Sequence, residues 1–145
     1  MQIPWYLPAI GAALVWGLHY PLIEFALRRV SLTTVVLLTA LPMALVALAF
    51  PARWVTDWHL LRAMPSGERL MISAIAFTSL AGTVLLYLAV RGRNATLASL
   101  IEISYPAFVV VFAWLLFREW HFNAGVLLGA VLVFAGTTLI IMNSR

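Results

Sequence analysis

A single acid inside a long apolar run is the first candidate for chemistry in this chain. Between Asn94 and Phe117 the one acidic or basic residue is Glu102. If that run is a helix, its centre lies near Tyr105, and Glu102 is roughly 5 Å from it along the axis at 1.5 Å per residue. A carboxylate at such depth in hydrocarbon costs roughly a few kcal/mol, so it must face a cavity, find a partner or hold a proton. A carboxyl group there exchanges between protonated and ionised forms as its surroundings change, which proton coupling requires. The bland alternative is a permanently protonated Glu hydrogen-bonded between helices. Pro106 adds to the site, because proline has no N–H and leaves the carbonyl four residues back, that of Glu102, without its helical donor. Stepping by three or four, the same face carries Ala95, Ala98, Ser99, Glu102, Tyr105 and Pro106. Small and polar residues there suit a cavity wall or a close helix contact better than lipid.

The first apolar run repeats the pattern. Pro21 deprives the carbonyl of Gly17 of its donor, and Trp16, Tyr20 and Glu24 follow at i, i+4 and i+8 with His19 beside them. Glu24 lies four residues before Arg28, so pairing with it at the membrane boundary is an alternative to a role in a site. Trp16 and Tyr20 are candidate path-lining residues, with ordinary packing as the alternative. Near the C-terminus, Gly125 and Gly129 stand at GxxxG spacing and Gly136 follows seven residues on, a pattern that lets helix backbones approach closely. Tyr87, Thr78, Ser79 and Thr83 are further candidate cavity residues. His19, His59 and His121 are far apart in sequence, so no metal constellation can be read. Without a Ser-His-Asp arrangement or a phosphate loop, an enzyme is not expected, and no cofactor is implied.

The elements that must position these residues follow from composition. The chain has 145 residues, 64% apolar and only 10% charged, with a mean hydropathy of +1.03. A soluble domain averages about 25% charged residues, so water is the wrong solvent for this chain. Nucleic-acid binding, disorder and a soluble enzyme are excluded on that ground. The pI of 10.4 rests on Arg residues set between apolar blocks, not on a basic stripe. Five apolar runs are each about as long as the roughly 20 residues a spanning helix needs. They are continuous, not alternating, which argues against a barrel. The expected fold is an all-α membrane protein, a bundle of five transmembrane helices over about 4–27, 31–51, 68–90, 94–117 and 121–142, forming a single domain over 1–145. The first run has no basic residue before it and no small-residue cleavage site after it, so it is expected to be retained and not removed as a signal peptide.

Between the second and third runs, Pro51 to Arg69 is long enough for more than a turn. Trp54, Trp58 and Leu61 fall at i, i+4 and i+7, the spacing of an amphipathic helix lying in the headgroup layer; an irregular loop with two interfacial Trp is the alternative. Trp5, Tyr6, Trp54, Trp58 and Trp120 lie near expected helix ends, as an aromatic belt requires. With five spans, one side of the membrane holds Arg53, Arg62, Arg69 and Arg118, and the other holds Arg28, Arg29, Arg91, Arg93 and Arg145. The Lys/Arg excess that normally sets orientation is then a single residue. Such a balance fits dual topology, in which oppositely inserted copies pair antiparallel and reproduce the inverted-repeat architecture of many secondary transporters. A fixed orientation set by a partner is the alternative.

With those residues in view, nearly the whole chain resembles one EamA-type domain of the drug/metabolite transporter superfamily. The similarity rests on Ala12-Ala13-Leu14-Val15-Trp16-Gly17, on Asn94-Ala95-Thr96-Leu97-Ala98-Ser99-Leu100 followed by Pro106, on Arg118-Glu119, and on Gly129 and Gly136 in a Gly-rich apolar helix. The Gly129 to Gly136 spacing also resembles the dimerising helix of small multidrug transporters in that superfamily. Most relatives carry two such domains as an inverted repeat, so the resemblance implies pairing of two copies of this one. Two departures stand out. The basic residue common early in the family's second helix is missing, with Thr33, Thr34 and Thr39 there instead, and an acid at Glu102 is not a general family feature.

The expectation is therefore a small multi-pass transporter of the inner membrane, working as an antiparallel homodimer through Gly125, Gly129 and Gly136. It would move a small metabolite or amphipathic cation by alternating access, coupled to protons. The substrate and proton site would comprise Glu102, Trp16, Tyr20, Tyr105, His19, Glu24 and Ser99. The competing expectations are a non-transporting membrane subunit and one half of a heterodimeric transporter.

Overall fold

The computed structural model describes residues 4, 6–118 and 123–143. Trp5, Glu119, Trp120, His121 and Arg145, which entered the sequence reading, lie outside the described residues. The protein is an all-α membrane protein, with no strand among the described residues. Its helices are α1 (Tyr6–Leu27), α2 (Leu32–Leu48), α3 (Pro51–Ala63), α4 (Ser66–Gly92), α5 (Ala95–Glu102), α6 (Tyr105–Phe117) and α7 (Ala124–Asn143). Among the described residues, four segments are long and apolar enough to cross a membrane: α1, α4, α5 with α6, and α7. The pair α2 and α3 makes a fifth candidate, bent by 89° at its break.

The chain divides into two compact units, Met1–Glu24 with Ala89–Arg145, and Phe25–Leu88. In the second unit, Ser31 caps α2 by accepting the N–H of Thr34 at 3.2 Å. The helix α2 has 17 residues, about 25 Å at 1.5 Å per residue, so it nearly spans the roughly 30 Å hydrocarbon core without help. Pro51 then opens α3 in its first turn, where the missing N–H costs no helical bond. The indole N–H of Trp54 donates to the carbonyl of Ala47 across the corner at 3.1 Å. Arg62 lies over the Trp58 ring at 4.9 Å. Pro51 to Ala63 is thus helical, not an irregular loop, and it turns away from α2 at nearly a right angle. Elsewhere in this unit Tyr87, 3% exposed, donates its hydroxyl to Thr39 at 3.2 Å, and Thr39 in turn donates to the carbonyl of Val36 at 3.0 Å.

The first unit holds the rest: α1 as far as Glu24, the end of α4, and α5 to α7. Its core is small, made of Tyr20, Ile23, Val90, Ala95, Ala98 and Thr137. Here α5 packs on α7, and Phe108 of α6 meets Phe134 of α7 edge-to-face at 5.9 Å. Most other large apolar side chains are exposed. In water that would be untenable; in lipid it is the expected outward face of spanning helices.

The expected helix over 94–117 is not continuous. It begins as expected, with Asn94 accepting the N–H of Leu97 at 2.7 Å as an N-cap, but α5 stops at Glu102 and α6 starts at Tyr105. The N–H of Ile103 still reaches the carbonyl of Ser99 at 2.9 Å. Ser104 turns back on Ile101, through its N–H at 3.2 Å and its hydroxyl at 2.8 Å. The cause is Pro106, which cannot continue the ladder to Glu102 and instead occupies the first turn of a new helix. The break lies roughly 12 Å from the start of the span at 1.5 Å per residue.

Candidate functional site

Irregular backbone at that depth is tolerated only where protein covers it or a cavity meets it. A cleft of about 770 Å³ lies beside this break, within the first unit. One wall is α1, contributing Trp16, Gly17, Tyr20 and Pro21 above the small residues Ala9, Ala12 and Ala13. The other wall is α5 with the break itself, contributing Thr96, Ser99, Glu102, Ile103 and Tyr105. Glu102 is the one acidic residue among the lining residues, and none of them is Arg, Lys or His.

The two walls are joined by carboxylates at both ends of α5. At its C-terminal end, the phenol of Tyr20 on α1 donates to Oε2 of Glu102. At its N-terminal end, the N–H of Ala95 donates to Oε2 of Glu24 on α1 at 2.7 Å. Each of the first four N–H groups of a helix lacks an intrahelical acceptor, and an anion near that end is favoured by the helix dipole. Glu24 therefore serves the first residue of α5 while the Asn94 side chain serves Leu97. Ala95 is buried, so the contact is shielded from competing water.

The site expectations fall into four groups. Trp16, Tyr20, Ser99, Glu102 and Tyr105 are brought to the one cleft, and Trp16 lies against Tyr20 with ring centroids 6.0 Å apart. His19 is not among the lining residues; it packs edge-to-face at 5.1 Å on Trp16, which is. Glu24 is also outside the lining and holds the end of α5. Thr78, Ser79, Thr83 and Tyr87 lie outside the lining too, and the Thr78 hydroxyl donates to the carbonyl of Ala74 on its own helix at 2.9 Å. Thr96 and the stripe Ala9, Ala12 and Ala13 line the cleft, although no site role was expected of them from the sequence. Their signal was present as small residues at i, i+3 and i+4 leading to Trp16.

The glycines of α7 differ among themselves. A Cβ on Gly125 would meet Oδ1 of Asn123 at 3.2 Å, the same oxygen that accepts the N–H of Val126 at 2.9 Å. Gly125 thus makes room for a helix cap. At Gly129 and Gly136 an added Cβ meets nothing within 4 Å among the described residues, so each leaves open space on its Cβ side.

An all-α chain with four to five candidate spans among its described residues belongs to the class of multi-pass membrane proteins. The family model of the EamA-like transporter family matches residues 3–142, and the chain belongs to that family. It is a family of membrane transporters, not of enzymes, within the drug/metabolite transporter superfamily. Comparison with curated proteins and with solved structures gave no significant match.

Proposed function

We propose that the protein transports a small metabolite or amphipathic cation by alternating access, coupled to protons at Glu102. The observation that carries this is the position of Glu102: a lone carboxyl in a cleft otherwise lined by aromatic, aliphatic, small and hydroxyl-bearing residues. An anionic substrate would meet no cationic side chain there, whereas an organic cation would meet a carboxylate and the faces of Trp16 and Tyr105. Aromatic faces attract a cation by about 0.5–2 kcal/mol. Trp16, Tyr20, Ser99 and Tyr105 would line the path, with Glu24 and His19 supporting it from outside. The transporting form would be an antiparallel homodimer in the inner membrane, joined along the open face of α7 at Gly129 and Gly136.

The test is flux in proteoliposomes under an imposed pH gradient. Glu102→Gln keeps the shape and can still accept from Tyr20 but cannot exchange a proton. It should leave the protein folded and abolish coupling of substrate flux to the pH gradient. If a cation and a proton compete for one carboxylate, apparent substrate affinity falls as pH falls in wild type and is flat in the variant. Flux through Glu102→Gln that stays fully gradient-dependent removes Glu102 from the mechanism. The second reading, a non-transporting subunit, is favoured by the Tyr20 hydroxyl, which already satisfies Glu102 inside one chain. It predicts no flux in wild type or variant.

A further inference from the structure

The Glu102 carboxylate is one part of a larger set of oxygens. In α5 the last carbonyls are accounted for unequally. That of Ser99 takes the N–H of Ile103, and that of Ile101 takes the N–H and hydroxyl of Ser104. The carbonyl of Glu102 falls opposite Pro106, which has no N–H to give. Across the cleft the carbonyl of Gly17 falls opposite Pro21 inside α1, with the same consequence. Gly17 and Glu102 both line the cleft. Gly17 can present only backbone to it, and the space where its Cβ would stand is open to 4 Å. Tyr20, one turn from Gly17, carries its hydroxyl to Glu102. The end of α5 also brings the negative pole of its helix dipole to this place.

We propose that the cleft binds a small monovalent metal cation, Na⁺, between the broken end of α5 and the proline-bearing turn of α1, in competition with the proton on Glu102. The ligands would be the Glu102 carboxylate and the carbonyls of Glu102 and Gly17, with the Tyr20 hydroxyl within reach. Broken-helix carbonyls and half-helix C-terminal ends are the groups that hold Na⁺ or a proton at depth in a bilayer. A set with one carboxylate and neutral oxygens matches a single positive charge. The inference rests on reading Glu102 as the cation-binding group, and its test does not depend on knowing the organic substrate.

The experiment is equilibrium binding of radiolabelled Na⁺ to the purified full-length protein in lipid nanodiscs, with ionic strength held constant by choline chloride. At alkaline pH wild type should bind Na⁺ saturably, and added protons should displace it. Glu102→Gln should abolish binding. Pro106→Ala gives the Glu102 carbonyl a donor and Pro21→Ala does the same for Gly17, and each should weaken binding about tenfold, the scale of one contact to a charged group. Either variant suffices if the other folds poorly. Absence of saturable Na⁺ binding in wild type overturns the proposal, as does wild-type affinity in the Pro→Ala variants. Gradient-driven flux that depends on Glu102 without any Na⁺ binding would retain the proton reading and remove the metal cation alone.

Discussion

Glu24 and Glu102 are two carboxyl groups on neighbouring helices, each held by a donor on the other's helix. Their chemistry diverges because of what surrounds them. Glu102 lies in the wall of a cleft, where a proton or a cation can reach it. Glu24 is outside that wall and takes the buried N–H of Ala95 at 2.7 Å, a contact that ties the start of α5 to α1. The two are separable by mutation. Glu24→Gln keeps an acceptor oxygen and should cost well under the removal of that acceptor. Glu24→Ala leaves a buried N–H without a partner and should destabilise the protein by about 1–3 kcal/mol. Thermal unfolding in detergent measures the difference between the two. The pH dependence of flux should keep its wild-type form in Glu24→Gln, and a flattened pH profile there would move the titrating role away from Glu102.

At the scale of elements, the decisive object is α5. Eight residues make little more than two turns, too few to be stable alone, and the helix carries Thr96, Ser99 and Glu102 into the cleft. Its order must come from its ends and from α7. The Asn94 cap is one such end. Asn94→Ala should cost about 1 kcal/mol, read as a lower unfolding temperature, and should also weaken substrate binding because the cleft wall loosens. Asn94→Asp keeps the cap and should recover both. Stability lost with no change in substrate affinity would show that the cleft does not depend on the order of α5. The corner between α2 and α3 follows a different logic. There Pro51 starts a helix in a new direction and Trp54 fastens it to α2, which accounts for thirteen residues of polar and aromatic chain without adding a span.

For the whole molecule the open questions are orientation and pairing. The Arg count of four against five makes a reporter fused to the C-terminus expected on both sides of the membrane in comparable amounts. Two or three Arg added to the loops of one side should drive it to one location. A reporter found wholly on one side would sink the antiparallel homodimer and leave the helices untouched. Pairing is expected along α7, because Gly129 and Gly136 have open space where a side chain would be. Gly129→Leu or Gly136→Leu should therefore reduce cross-linked dimer in membranes while leaving the monomer folded. Equal cross-linking in both variants would place the contact elsewhere, the small face of α5 being the next candidate. Gly125→Leu is not an equivalent probe, since a side chain there crowds Asn123 at the start of α7.

Much of this protein was legible in the chain because the cost of placing a residue in lipid is local. Apolar runs of spanning length, a lone acid at Glu102 and prolines at 21 and 106 carry their meaning without reference to any other segment, since desolvation and a missing N–H act on the residue itself. Where the chain breaks was half legible: Pro106 marked the lost bond at the Glu102 carbonyl, but the turn through Ile103 and Ser104 depended on Ser104 folding back on the carbonyl of Ile101. Which residues meet was not legible at all. Tyr20 and Glu102 are 82 residues apart, and Ala95 and Glu24 are 71 apart. No spacing rule links such positions, because helical periodicity fixes a face but not the face opposite it. Glu24 shows the difference: its spacing brought only Arg28 on its own helix into view, and the N–H of Ala95 that it accepts is supplied by packing against α5.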